Sequence, residues 1–486
     1  MGFFANNTTT KLDDVSQAVV EKALSAGYET TPSAMEGGRA LIPEDLEGTL
    51  TNILSETDND CKAFATLHPQ PVHSTVHEIV RRTGLGDYRF NTVAEGGSPT
   101  EDSQELERKV FNTKYISTMG SISKQMEMSE TVEGAYDSEK LAAVNRVTLS
   151  AEHLIFHGNS DVVPTEFDGF EKQIRDYAEK SSDSNKNSTV VDLHGLEIGE
   201  TTTNTDVDVQ DAGEALFDDI ATTVFNKGGD LKRAFFPPIL AGQFKKLYTD
   251  RLRVFPNSNG YTLPQLPDIN TAIGTTIKIV GKDAGADKLY RVKGKVTAAG
   301  TKSLRPNAPA SVTVEVNDSA SSSKFFDDDA GVYTYAVHAV NAYGISGATD
   351  ATSTATVATG GSVTITITPD TDGNEATGFI ITRSAPDGSI LMEMCSIAAD
   401  GDNAVTYEDT NAKLPGTASI VLLSNTESRG RNAISFAQLL PISSIPLPIN
   451  ETISKRFVVS LYGMLEVRNP EHHALIENIG YSGGLY

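Results

Sequence analysis

The sequence predicts an α+β fold interrupted by a separate all-β unit. Three observations carry that expectation. A helical pattern fills 130–157, where Leu141, Val144, Val147, Ala151 and Leu154 recur at steps of three and four. Mixed strand and helix patterns lie on both sides of it. From about 303 to 415 the composition changes to short strands of alternating polarity, parted by Gly, Asp and Asn turns. That spacing is the mark of a β-sandwich.

Residues 1–40 are polar and rich in Gly, Ser and Thr, with one short amphipathic piece (LDDVSQAVVEKALSAG), and read as an extended arm with a helix. LIPEDLEGTLTNIL (41–54) reads as a helix, with Pro43 early and acids in its first turn. Residues 86–124 read as a long hairpin: DYRFNTVA as one strand, GGSPTEDSQE as an acidic tip, RKVFNTKYISTMGSIS as the return. Few of its outer residues are apolar, so it is expected to need a partner, a second copy of the chain. The helix over 130–157 would span about 42 Å at roughly 1.5 Å per residue, and Gly158 supplies its stop. Residues 206–226 read as a helix with acids at its start, and Pro237-Pro238 opens a further one. After 416 the mixed pattern returns, so the all-β unit is an insertion in a host fold. Its ends are expected to lie close together, so that its removal leaves the host intact.

The stretch FHGNSDVVPTEFDGFEKQI (156–174) holds histidine and acids in a loop between two helices. A site for chemistry and an architectural corner are both open readings. The corner is favoured: Gly158 ends the helix, Pro164 holds the loop extended, Asp168-Gly169 turns the chain so that Phe167 and Phe170 pack, and Asp168 caps the next helix.

Bulk numbers exclude several function classes. The chain has 486 residues, enough for several domains, and no 18-residue apolar run. Its start has no basic region followed by an apolar core, so a secretory signal is not expected, and MGFFAN does not fit a myristoylation pattern. Lys+Arg number 40 against 65 Asp+Glu, a net charge of −25. Such a surface repels nucleic-acid phosphate over most of its area. Two distant cysteines, Cys61 and Cys395, make no disulfide framework and point to folding in a reducing cytoplasm.

No motif for chemistry stands out. His153 and His157, four apart on the long helix, lack the zincin glutamate, and packing or helix-end charge is the better reading. The same holds for His73 and His77, and His472-His473 reads as a surface turn. Asp206, Asp208 and Asp211 lack the glycine and glutamate of a calcium loop. Asp327-Asp328-Asp329 heads a sandwich turn. No GxSxG, P-loop or Rossmann fingerprint is present. The expectation is a non-enzyme with no catalytic residue, no metal and no cofactor.

Together, ALSAGYETTP (23–32), HPQPVHSTVHEI (68–79), GDYRF (86–90), FHGNSD, FDGFEKQI, FAQLLPISSIPLPIN (436–450) and LYGMLEVRNPEHHALIENIGY (461–481) resemble, in order and spacing, major capsid proteins of tailed bacteriophages with the Hong Kong 97 fold. The resemblance is strongest to those of Twort-like large contractile-tailed phages. It implies an N-terminal arm (1–40), a peripheral domain (41–85 and 125–205, with a spine helix at 130–157) and an extended hairpin loop (86–124). It further implies an axial domain (206–302 and 416–454), an immunoglobulin-like insertion (303–415) and a C-terminal strand and tail of the peripheral domain (455–486). The residues it would make structural or assembly sites are Gly158, Pro164, Phe167, Asp168, Gly169, Phe170, Tyr88, Arg89, Phe90 and Tyr115. Implied partners are many copies of the chain in hexameric and pentameric capsomers, with portal, scaffold or maturation protease and decoration proteins. The shell would enclose double-stranded DNA without specific binding, in a virion assembled in the bacterial cytoplasm, with no membrane. Lys109 and Lys114 lie in the hairpin, but its tip is lysine-free, so isopeptide crosslinking is not carried over. The alternatives are an encapsulin-like nanocompartment and a surface adhesin with an immunoglobulin-like domain.

Overall fold

The computed structural model describes residues 61–67, 69–86, 92–98, 101–128, 134–180, 188–247, 268–280, 292–424, 427–428, 431–448 and 454–485. The expected arm and the helix 41–54 lie outside them. The fold is mixed α+β, built on two sheets, a long helix and a sandwich.

The helix Ala135–His157 lies across a four-stranded sheet ordered Pro69–Pro71, Ile434–Leu447, Ser454–Val467, Lys114–Ser123. Its buried residues include Ala143, Val147, Ala151, Ile155 and Phe156, which share one core with Phe436, Phe457, Val459 and Leu461. The stripe is therefore rotated from the expected one. Val147 and Ala151 belong to it, Val144 and Leu154 are half-buried, and Leu141 is 62% exposed. Ala143, Val147, Ala151 and Ile155, four apart, form the line that faces the sheet, and Leu141 falls on the opposite side of the helix. Glu152, fully buried on the same helix, accepts from the N–H of Ala63 and of Phe64, both at 2.7 Å, and so holds the short helix Lys62–Thr66.

A six-stranded sheet runs Thr189–Asp192, Ala474–Ile479, Ala418–Ser424, Leu231–Phe235, Thr276–Ile279, Ile269–Asn270. Helices Glu214–Asn226 and Pro238–Leu247 cover it through Phe217, Ile220, Leu240 and Phe244. The first of these helices starts at Glu214, not at 206, because Asp211 turns the chain by accepting from the N–H of Gly213 at 2.8 Å. The chain after the insertion does not stay in one sheet. Ala418–Ser424 belongs to the six-stranded sheet, Ile434–Leu447 and Ser454–Val467 to the four-stranded one, and Ala474–Ile479 returns to the first. Ala418–Ser424 feeds both cores by alternation, Val421 and Leu423 into one and Ile420 and Leu422 into the other.

The hairpin also differs from expectation. Its strands are Val76–Gly84 and Glu105–Asn112, antiparallel, while Lys114–Ser123 leaves it to pair with Ser454–Val467. The break at Thr113, whose N–H donates to the Thr75 carbonyl at 2.8 Å, separates ribbon from sheet.

In the sandwich, a three-stranded sheet (Ser311–Asn317, Ser362–Thr368, Val405–Asp409) faces a five-stranded one. The latter runs Met392–Ala398, Gly378–Arg383, Tyr335–Asn341, Gly344–Asp350, Ala299–Gly300, so it begins a few residues before 303. Val312, Val363, Ile365 and Ile367 meet Val337, Ala339, Phe379 and Ile381 in its core. Arg383 is wholly buried there, paired with Asp409 at 2.6 Å and lying over the Tyr333 ring at 4.9 Å. The ends of the insertion do lie together: the N–H of Lys293 donates to the Thr417 carbonyl at 2.9 Å.

His473 is not on a surface turn. It is fully buried, and its Nδ1 accepts from the N–H of Ser424 at 3.0 Å. Burial, with His472 beside it, lowers its pKa to about 3. The unfolded chain takes up a proton near the ordinary histidine value of about 6.5, and the folded one does not. Stability is therefore complete above that pH and drops as pH falls toward the folded value. Between about pH 8 and about pH 5 the loss through this group alone is roughly 2 kcal/mol. Urea unfolding at the two pH values should show it, and His473→Gln should flatten the dependence by that amount.

Candidate functional site

The loop between the long helix and the helix Phe170–Lys180 is a corner made by two glycines. Gly158 caps the long helix with an extended backbone (φ −55°, ψ 134°), not a left-handed one. Glycine is required there by approach. A Cβ at Gly158 would lie 2.1 Å from the Phe167 carbonyl oxygen, and one at Gly169 would lie 2.6 Å from that of Phe156. The two strands of the corner touch backbone to backbone, with the Gly169 N–H donating to the Gly158 carbonyl at 2.8 Å. Phe156, Phe170 and Phe235 then meet at centroid distances of 5.9, 5.3 and 6.5 Å, and Phe167 sits edge-on to Phe436 at 5.8 Å.

Two expectations within the corner need correction. Asp168 does not cap the helix; its Oδ1 accepts from the N–H and hydroxyl of Ser160, at 3.0 and 2.7 Å, and so closes the loop on itself. Gly169 already stands at the helix start, its carbonyl accepting from the Gln173 N–H at 3.1 Å. Pro164 does not hold an extended segment. It is second in the turn Val163–Glu166, closed by a 2.9 Å bond, where a fixed proline φ fits.

One role of this loop was missed in the sequence. Val162 and Val163 pack against Val340 and Ile380 on the outer face of the five-stranded sheet. The corner is the seat of the sandwich. This explains why Tyr335–Asn341 is buried at every position, one face in the sandwich core and the other toward the host. The seat has polar company: Lys324 reaches Asp192 at 2.8 Å and Asp208 at 3.3 Å, and His194 reaches Asp329 at 2.8 Å.

The other histidines and acids do not converge. The His153 and His157 rings lie 5.3 Å apart, tilted by 44°, and His157 lies 3.5 Å from Glu171. His77 lies 3.3 Å from the buried Glu466. Among the described residues no group of three His, Cys, Asp or Glu could hold a metal ion, and no helix is long and apolar enough to cross a membrane.

The hairpin is the other feature that asks for a function. On its inner face Ile79 and Phe111 join the main core. Cross-strand register places Val76, Val80, Leu106 and Val110 together on the outer face, 45, 66, 56 and 43% exposed. The Glu78–Arg108 pair at 2.8 Å interrupts this apolar surface. Nearby on the four-stranded sheet Tyr115 is 57% exposed, edge-on to Tyr462 at 4.8 Å, and Met119 is 59% exposed. Tyr88, Arg89 and Phe90 lie outside the described residues.

No family model matches the chain, and no curated protein does. Among solved structures it is similar to the capsid of the cyanophage P-SCSP1u, with 9% identity, a TM-score of 0.45, and coverage of 93% of this chain and 97% of that one. It is similar to the capsid of a native GTA particle, with 10% identity, a TM-score of 0.45 and coverage of 93% and 99%. It is also similar to the SrpI encapsulin of Synechococcus elongatus, with 10% identity, a TM-score of 0.42 and coverage of 91% and 94%.

Gly169→Ala should abolish soluble full-length protein, because the added carbon meets immovable backbone. Asp168→Ala should fold, with urea unfolding showing a loss of about 1–2 kcal/mol from the two Ser160 bonds. Excising 303–415 bares Val162 and Val163, so, contrary to the expectation that removal leaves the host intact, the shortened chain should aggregate. Adding Val162→Thr and Val163→Thr should return it to the soluble fraction, measured by size-exclusion chromatography.

Proposed function

We propose that the chain is a major capsid protein of a tailed bacteriophage, self-assembling through hexamers and pentamers into the icosahedral shell that encloses double-stranded DNA. The carrying observation is the hairpin: a two-stranded ribbon with an apolar outer face that no described residue of its own chain covers. A lone ribbon is marginal in water, so this one gains its stability from another copy. The bare Tyr115 and Met119 face of the four-stranded sheet offers a surface of matching chemistry. Contacts of this kind, each modest, sum over a closed shell.

The sequence resemblance supports the same reading, and with it the virion location, the Hong Kong 97-type division into peripheral and axial domains, and the immunoglobulin-like character of the insertion. The acidic balance fits a container whose wall repels its DNA. Portal, scaffold, protease and decoration proteins belong to this proposal as partners. An encapsulin-like compartment is the second reading; the seated sandwich, an uncommon addition in such shells, favours the phage capsid.

Electron microscopy of the purified chain should show closed particles or capsomers. Val80→Asp with Leu106→Asp should leave a folded protein with an unchanged thermal transition and no particles. A wild-type chain that stays monomeric under all assembly conditions would overturn the proposal.

A further inference from the structure

The sandwich hangs from the host on two linkers, and they meet where the Lys293 N–H donates to the Thr417 carbonyl at 2.9 Å. Each linker brings a lysine to that place, Lys293 on the way in and Lys413 on the way out, and both are half-buried. Both line a cavity of about 260 Å³ between the corner and the sandwich strand Met392–Ala398.

The two amines are under-compensated. Of the four Lys and Arg side chains in the lining, Lys172 pairs with Asp161 and Asp168, and Arg175 with Glu477. Lys293 and Lys413 form no ion pair among the described residues. Nζ of Lys293 donates to the Leu414 carbonyl at a long 3.4 Å, which leaves two of its three hydrogens without an acceptor among those residues. Burial holds this amine below the ordinary lysine value; Glu477 and Glu171 pull the other way, while Arg175 and Lys413 add to the lowering. The nearby acids thus do not replace the water that the amine has lost.

Three acids share the lining. Glu171 accepts from the Ser419 hydroxyl and lies 3.5 Å from His157. Glu166 accepts from the Asn159 N–H at 3.4 Å, and burial raises its pKa. Glu393 pairs with neither lysine and is the one acid that opposes an anion there. The cavity has the volume of several waters at about 30 Å³ each, so a tetrahedral oxyanion fits with solvent around it. Between two like charges it would remove their repulsion and accept charge-assisted bonds from both.

We propose that Lys293 and Lys413 form a binding site for a small free oxyanion of the phosphate class, which staples the two linkers of the sandwich together beside the corner. The proposal does not depend on the shell reading. An ion that binds only the seated arrangement favours it over one in which the sandwich tilts off Val162 and Val163.

The test is calorimetric titration of the full chain with inorganic phosphate near neutral pH, against chloride of matched ionic strength. The wild type should bind phosphate saturably. Lys293→Met and Lys413→Ser should each weaken binding about tenfold, the loss of one charge-assisted partner. Glu393→Gln should tighten it about threefold by removing the opposing charge. Lys413 makes no bond among the described residues, so Lys413→Ser keeps the fold and its titration stays readable. Trypsin reads the hinge itself: phosphate should slow cleavage after Lys413 in the wild type and leave it unchanged in Lys293→Met. A wild type without saturable binding, or binding that both lysine variants keep, would overturn the proposal. A short DNA duplex should not compete; competition would place the phosphate on nucleic acid and overturn the free-ion site.

Discussion

The backbone contact between Gly158 and Gly169 is the constraint on which the rest of the molecule hangs. It brings the end of one helix and the start of the next within a main-chain hydrogen bond, with no room for a Cβ on either side. Three consequences follow from that closeness. Phe156, Phe167 and Phe170 all turn into the main core. Gln173 comes to span the Asp168 and Leu465 carbonyls, at 2.7 and 3.0 Å, tying the corner to the four-stranded sheet. The loop left over, closed by Asp168 on Ser160, presents Val162 and Val163 outward as a platform for the sandwich. A helix, a sheet and an inserted unit are therefore oriented by one short stretch of chain.

What was legible in the sequence follows from how local each cause is. The long helix, the all-β insertion and the glycines of the corner announce themselves through periodicity, turn residues and phenylalanine spacing, all properties of neighbouring residues. The hairpin strand was placed ten residues late because HSTVHEIVRRTG mixes histidine, acid and arginine with valine. Its alternation makes sense only once a bare apolar face is allowed, and a bare face is what a monomer is expected to avoid. The burial of His473 was illegible for a related reason. Its neighbours in sequence are Glu471 and His472, whereas its partner, Ser424, comes from 49 residues away. Leu141 entered the expected stripe as a large apolar residue at the right spacing. The buried line instead runs through Ala143, Val147, Ala151 and Ile155, which leaves Leu141 on the other side of the helix.

Charge is distributed with the same economy. The excess acid lies mostly on the surface, and several of the cations stand at joints between units. Lys324 bridges sandwich and six-stranded sheet, Arg175 joins the corner helix to Glu477, and Arg81 and Arg468 stand where the hairpin meets the body. Such contacts add little net stability, but they are directional. Apolar surface alone would let the sandwich slide on Val162 and Val163. The His194–Asp329 pair adds a further directional tie between host and sandwich.

The hairpin breaks the rule that the two sheets and the sandwich obey. In those units an apolar face is covered by a neighbouring element. On the ribbon four apolar side chains in one register stay open, and among the described residues the strands beyond Gly84 and Glu105 have no sheet to join. Burying such residues is worth about 1.5–3 kcal/mol each when fully achieved, enough to decide whether a two-stranded ribbon is ordered. If copies associate through this face, as proposed above, order in that segment and association are one event, and the stability of the ribbon depends on the concentration of the chain. A chain that finished the ribbon within itself would lose this coupling. Under that proposal, leaving it unfinished would make the ribbon's order a report on whether a neighbouring copy has arrived.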